Sequence, residues 1–451
     1  MALWLILPVG LNAQRINHAG RILGPVPAVT NAVLFNTSQS DDIVSRLQLF
    51  PADNAWNEDI SRRPLLTNSA AMMSQIVTDL QSSRRTVRAF YEMNFVLVPA
   101  GQPLVPITFD FYGDESDPSP YPIPPSLPVE TWPHDTPTNY TLYDWQRDIY
   151  QAGGDRHAII VQPSSGNIWE TWQTLLVLTN GQTNWHAANG AKFNLNTNGL
   201  RPAGWTSADA AGLSMFAGLV RYDECQRGVV EHALRLVVAR SRRSHLYPAT
   251  HDASTDTSPN RPAMGQRLRL QSSFVIPPTW SIEEKAVLTA LKKYGALVAD
   301  NGGFCSLSVA PDQRWPGSAF SHLSSVSVTN FEVVQSTDVN EGPRSPRAPR
   351  VDAGPDRIVS QETSVSLQAQ VTSTNTLPLT LEWRLYSGPS AVTLTGTNQA
   401  VTTATFHAPG DYMLMFSADD GVHAVAYDAA VITVPDDGPL PPANLRIISA
   451  Q

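Results

Sequence analysis

A chain of 451 residues with a formal net charge of -9 is long enough for two or three domains, and it has no basic surplus with which to neutralise a nucleic-acid backbone. Hydrophobic residues make up 42% and charged residues only 16%, alongside 36 prolines and 11 tryptophans. That balance points to a loop-rich, β-rich protein of the exported type more than to a helical cytosolic one.

The chain opens on "MALWLILPVGLNAQ". The apolar run to Leu11 is too short to span a bilayer, and Leu11-Asn12-Ala13 resembles a small-residue cleavage site. Residues 1–14 are expected to be a signal-peptide remnant, which places the protein outside the cytoplasm, secreted or at the cell surface (extracellular or periplasmic). The plainer alternative is a buried strand. No later stretch is long and apolar enough for a membrane-spanning helix.

Residues 15–340 read as one β-rich main domain, the candidate catalytic domain. The expected fold is mainly β: a sandwich, jelly-roll-like or barrel-like body with a few helices. Two helices stand out, at 69–83 and 281–295. The second has Ser281 as N-cap with Glu284 three residues on, lysines 292 and 293 in the last turn, and Gly295 as the stop. Between the helices, "DFYGDESDPSPYP" gathers Asp114, Glu115 and Asp117 beside a turn. Hard oxygen ligands suit a structural calcium ion, although a solvated acidic loop has the same composition.

The next stretch, "GDRHAIIVQPSSGNIWETWQTLLVL", reads as a hairpin turning at 163–166. Pairing across that turn sets Ile159 opposite Glu170 and His157 opposite Trp172. Side-chain alternation then puts His157, Glu170 and Trp172 on one face and Arg156, Ile160 and Trp169 on the other. A carboxyl against an apolar wall has the raised pKa that a general acid needs. The competing possibility is that Trp172 is core and Glu170 sits at a sheet rim, paired with a base.

After it comes "GWTSADAAGL", whose Trp205 is expected on a binding loop. "GLVRYDECQRGVVEHALRLVV" (218–238) is predicted to be a second hairpin, with Arg221, Asp223 and His232 on one face. Such a cluster serves proton transfer or a structural ion-pair network equally well. Cys225 and Cys305 either pair, closing a loop of about 80 residues, or are free buried thiols. Phosphate-cradling loops and a G-x-S-x-G elbow are absent. The histidines lack metal-ligand spacing, so no transition metal or other cofactor is required.

Three prolines within "PRSPRAP" mark a linker at 341–350. Beyond it, "DAGPDRIV", "LEWRLYSGPSAV", "APGDYMLMFSADDG" and "AVITV" are short strands between Gly, Pro and Asp turns. This segment, 351–435, resembles a PKD-type Ig-like module, and the resemblance implies a small β-sandwich used as a non-catalytic spacer or binding module. Residues 436–451 resemble a linker and the first strand of a further module. The main domain, through "FPADNAWNEDIS", "GDRHAIIV", "GWTSADAAGL" and "GLVRYDE", resembles an uncharacterised family of secreted bacterial proteins, which implies export and no particular chemistry.

The leading functional expectation is a secreted glycoside hydrolase acting on an extracellular polysaccharide. Glu170, Asp223 and His232 would be its catalytic groups, and His157, Trp172, Arg221 and Trp205 would contact substrate. The first alternative is a non-catalytic carbohydrate-binding or cell-surface adhesion protein. A second alternative is a metal-dependent enzyme using His157 and His232. Convergence of Glu170, Asp223 and His232 in one pocket separates the first two.

Overall fold

The computed structural model describes residues 15–148, 154–335, 349–421 and 425–436. The residues expected to form the signal peptide, the linker up to residue 348 and all of the last segment after Asp436 lie outside them. The described residues divide into two compact units: a body from Leu23 onward, and a C-terminal unit that also takes up residues 15–22. In the C-terminal unit the Ile22 N–H donates to the Tyr386 hydroxyl at 3.1 Å.

The body is mainly β, and its sheets stay open. The largest is six-stranded, in the order Phe331–Val333, Arg267–Leu270, Ala296–Asn301, Leu234–Val238, Cys305–Val309 and Val87–Tyr91. It is mixed: Leu234–Val238 runs parallel to Ala296–Asn301 and antiparallel to Cys305–Val309. The second sheet has five strands, Asn189–Asn194, Asn167–Trp172, Ala158–Gln162, Val96–Leu97 and Val33–Leu34. A three-stranded sheet of Ile107–Phe109, Gln182–Ala187 and Leu175–Thr179 completes the set.

The first hairpin folds in the register that the sequence dictates. Ile159 pairs with Glu170, Ile160 with Trp169 and Val161 with Ile168. Its turn closes on Gly166 at φ 70, where a side chain would meet Asn196. Alternation divides the two faces between separate cores. Ile159, Val161 and Ile168 belong to the main core, whereas Ala158, Ile160 and Trp169 pack with Tyr121, Trp185 and Leu176 in a second one. Trp169 is thus a packing residue, as expected.

The segment 218–238 is not a hairpin. Tyr222–Gln226 forms a single turn of α-helix, and Leu234–Val238 is a strand inside the six-stranded sheet. Asp223 and Glu224 fall in the first helical turn, where the exposed N–H groups favour carboxylates. Gly228 at φ 74 stops the helix just past its C-cap. The apolar strand then pairs with two distant segments, so no partner remains for it within the predicted hairpin.

Both predicted helices form, with the first shorter than expected. Ser69–Asp79 is helical and is followed by a separate 3-10 turn, Ser82–Arg84. Ile282–Lys293 is capped reciprocally: Ser281 Oγ accepts from the Glu284 N–H at 3.0 Å, and Glu284 accepts from the Ser281 N–H at 3.2 Å. Cys225 and Cys305 are free thiols, both buried, and burial pushes the Cys305 thiol up to about 12.

The C-terminal unit is a sandwich of a four-stranded sheet (Arg357–Ile358, Ala426–Val434, Gly410–Asp419, Thr380–Ser387) and a three-stranded one (Ser364–Gln368, Val401–Phe406, Val392–Thr395). Inward residues of the two sheets, led by Trp383, Phe406, Tyr412, Phe416 and Ile432, fill its core. Polar ends of the aromatics are satisfied internally. Trp383 Nε1 donates to the Ala400 carbonyl at 3.2 Å, and the Tyr412 hydroxyl donates to the Ala408 carbonyl at 2.8 Å. Among the described residues, no helix is long and apolar enough to cross a membrane.

Candidate functional site

The body carries a cleft of about 170 Å³ at the end of the first hairpin. The hairpin supplies Asp155, His157 and Trp172, the 206–210 loop supplies Thr206, Ser207, Ala208 and Ala210, the strand Ala296–Asn301 supplies Asp300, and loops supply Tyr112 and His251. Tyr112 and Trp172 face each other obliquely, with ring centroids 5.9 Å apart and planes at 39°. Together they give the cleft an aromatic wall.

The hairpin base is held under local strain. Arg156 and Gln173 adopt φ 57 and 53, values that few side-chain-bearing residues take. The strain is over-determined by hydrogen bonds. Gln173 N–H donates to the Asp155 carbonyl, and Thr174 N–H donates to the Arg156 carbonyl. The Arg156 guanidinium donates to four carbonyls, those of Thr174, Asp148, Trp145 and Gln146. This clamp fixes the position of Asp155 at the rim.

Under the cleft lies a buried network of charges. His157 Nδ1 donates to Glu130 Oε2 at 2.8 Å, and its Nε2 donates to the Ala208 carbonyl at 3.0 Å. Burial alone would lower the His157 pKa, but the charge and hydrogen bonds of Glu130 hold it up at about 9, so the imidazolium is the resident form. Beside it, Arg235 forks onto Asp209 at 2.8 and 3.0 Å and reaches Asp300 at 3.2 Å and Ser308 Oγ at 3.0 Å. Ser308 in turn donates to Glu92 at 2.7 Å. One guanidinium cannot fully compensate three carboxylates. Burial pushes Glu92 up to about 7 and Asp300 up to about 6. His251 completes the cleft: its Nδ1 donates to the Ala210 carbonyl at 2.7 Å, which leaves Nε2 without a partner among the described residues.

The residues expected from the sequence land in four places. His157 and Trp172 line the cleft. Glu170 shares their sheet face but lies deeper and is fully buried. Its carboxylate accepts from Ser214 Oγ at 2.8 Å and from the backbone N–H groups of Met215 and Phe216 at 2.9 and 3.0 Å. Burial raises it to about 7, yet its acceptors are occupied by the loop that covers it. Glu170 is therefore an anchor for that loop and not a cleft carboxylate.

Asp223, His232 and Arg221 sit in a separate buried network. Arg221 reaches Asp223 at 3.2 Å and Glu224 at 2.6 Å, and His232 Nε2 meets Glu224 at 3.1 Å. Glu224, which meets both Arg221 and His232, is the hub. The expected convergence of Glu170, Asp223 and His232 is absent, because a helix replaces the strand that would have aligned them. Trp205 lies against Arg201, whose guanidinium carbon is 5.5 Å from its ring, and is not part of the cleft lining.

The acidic loop is likewise engaged with protein groups. Asp117 pairs with Arg201 at 2.5 Å and accepts from the Lys192 N–H, and Glu115 accepts from the Thr206 N–H at 2.8 Å. His157 and His232 each have their own carboxylate partner. Among the described residues, no group of three or more His, Cys, Asp or Glu is arranged to hold a metal ion.

Sequence reasoning missed Tyr112, Asp155, Asp300 and His251, together with the supporting Glu92, Glu130, Asp209 and Arg235. One signal was available: Arg235 is a charged residue in the apolar run "LRLVV", which demands a buried partner.

The C-terminal unit is thus an Ig-like β-sandwich. Residues 353–434 match a family described as a PKD domain, and they form a PKD domain. Among solved structures, the PKD domain from KIAA 1837 protein is 22% identical over 20% of this chain and 92% of its own, with a TM-score of 0.17. The PKD domain of human KIAA0319 is 18% identical over 22% of this chain and 96% of its own, again with a TM-score of 0.17. Titin M4 is 17% identical over 20% and 97%, with a TM-score of 0.16. No curated protein matches the chain.

Proposed function

We propose that this is an extracellular carbohydrate-binding protein of the cell-surface adhesion type, whose body holds a saccharide in the Trp172 cleft and whose PKD domain is a non-catalytic module. The observation that carries this reading is the pairing of an aromatic wall, Tyr112 and Trp172, with polar groups in one concave site: Asp155, Asp300 and His251. Sugar rings present an apolar C–H face and a rim of hydroxyls, and a site with both characters is suited to them. The negative chain and the absence of a basic surplus argue against nucleic acid as the partner. The test is calorimetric titration with a panel of oligosaccharides. Saturable binding that Trp172→Ala weakens by about tenfold or more supports the reading, and a full panel without binding sinks it.

Hydrolysis of the bound polysaccharide is a second reading, and it now rests on Asp300 in place of Glu170 and Asp223. A carboxyl held at about 6 beside an aromatic wall is suited to general-acid work. Reducing-end release that disappears in Asp300→Asn supports it; a wild-type protein that binds and releases nothing leaves the binding reading alone.

A further inference from the structure

We infer that the saccharide recognised in the Trp172 cleft is a cationic amino sugar, a polymer bearing free ammonium groups, with the ammonium seated between Asp155 and Asp300 against the Tyr112 and Trp172 rings. This inference rests on the saccharide reading above and narrows it.

Three independent features of the cleft favour a cation. The first is charge. Glu92, Glu130, Asp155, Asp209 and Asp300 line or underlie the cleft, and the cations facing them are Arg235, His157 and, against Glu130, Arg156. Five carboxylates against three cations leave a surplus of two negative charges when all are ionised. All three cations are already committed: His157 to Glu130, Arg235 to Asp209, Asp300 and Ser308, and Arg156 to four backbone carbonyls. His251 is the remaining basic group on the wall, and its Nδ1 is taken up by the Ala210 carbonyl.

The second feature is access. Asp155 is exposed at the rim, and its carboxylate has no hydrogen-bond partner among the described residues. The Asp300 side chain keeps a quarter of its surface open, with a relative exposure of 25%. Its Oδ1 accepts from the Asn301 N–H at 2.7 Å, while Oδ2 meets Arg235 at a longer 3.2 Å. Acceptor capacity therefore remains on the cleft side.

The third feature is the aromatic pair. Two ring faces at one cleft attract a cation through their quadrupoles, and a partly desolvated site strengthens that attraction. A neutral hydroxyl gains nothing comparable from them. The raised values of Glu92 and Asp300 agree with this picture, because burial leaves these groups short of positive charge. A bound ammonium supplies that charge and releases protons from them.

The experiment is a comparative titration of the full chain at about pH 6.5, where Asp300 is mainly ionised. The probes are the tetramer of glucosamine, the tetramer of N-acetylglucosamine and cellotetraose. The glucosamine tetramer is expected to bind about tenfold more tightly than the other two, with a preference that fades as salt is added. Asp155→Asn, at an exposed position, is expected to remove most of that preference, with a loss of about tenfold for the glucosamine tetramer and a smaller loss for the N-acetylated tetramer. Asp300→Asn is the second variant, read together with its thermal unfolding. Repeating the wild-type titration in two buffers of different ionisation enthalpy reports the proton release. Equal binding of all three tetramers, or a preference for the neutral ones, overturns this inference and leaves the saccharide reading standing. Binding of none overturns both.

Discussion

The two units of this chain bury very different interiors. In the C-terminal sandwich the core is aromatic and aliphatic, and the polar ends of its buried rings donate to nearby carbonyls. In the body, Arg235, Glu170, His157, Glu130, Glu224, Arg221 and Arg267 are all buried. Burying a charge costs several kcal/mol unless a partner compensates it, so an interior of the second kind is retained for something other than stability alone. Around Asp209, Arg235 and Asp300 that something is a cleft. Around Glu170 and Glu224 it is the anchoring of irregular loops. The sandwich is a module with an apolar core; the body is where the proposal above puts recognition.

Breaking each core separately sharpens that contrast. Trp383→Ala is expected to destabilise the sandwich by ~3–5 kcal/mol, since it empties the centre of an apolar core. In a denaturant titration the C-terminal transition moves and the body's transition stays. Arg235→Met is expected to act in reverse, costing the body ~3 kcal/mol and leaving the sandwich alone. The loss is moderated because Glu92 and Asp300 already sit near 7 and 6 and take up protons once the guanidinium is gone.

The pH dependence of the two units should differ in size. Glu92 and Glu170, raised from 4.5 to about 7, are protonated in the folded body at pH values where the unfolded chain has ionised them. They cost stability as pH climbs from about 4.5 to 7. His157, raised from 6.5 to about 9, contributes stability that is complete below 6.5 and lost as pH rises through 9. The body is therefore expected to lose at least ~3 kcal/mol, the worth of one such shift, between weakly acidic and alkaline conditions. In the sandwich burial raises Asp428, and that unit is expected to change less. Equal pH slopes for both transitions would contradict the comparison. The smallest of these effects is that of Glu170→Gln, ~1–2 kcal/mol on the body from weakened bonds to Ser214, Met215 and Phe216, with saccharide affinity unchanged.

How much of this was legible in the sequence followed the distance over which each element finds its partner. The first hairpin pairs across its own turn, so Ile159 and Glu170 could be set opposite one another by counting. The strands of the PKD domain alternate regularly between turns and read equally well. The segment 218–238 contains a comparable mix of residues, but Leu234–Val238 takes its partners from 296–301 and 305–309. No local pattern announces that pairing. Alternation correctly placed Glu170 on the face of Trp172, and it was silent on the loop 214–216 that covers one and leaves the other open. The cleft's floor was hidden for the same reason: Asp209 and Asp300 lie 26 and 65 positions from Arg235, and the three meet only across the folded sheet. Buried charge inside an apolar run was the one available clue.

The central claim is that recognition belongs to the open Trp172 end of this sheet face and not to the covered Glu170. The most direct measurement is the affinity of a bound oligosaccharide, by calorimetry, for the wild type, Trp172→Ala and Glu170→Gln side by side. The account predicts a loss of about tenfold or more for Trp172→Ala and wild-type affinity for Glu170→Gln. Loss of binding in a folded Glu170→Gln protein, with Trp172→Ala binding normally, would contradict it.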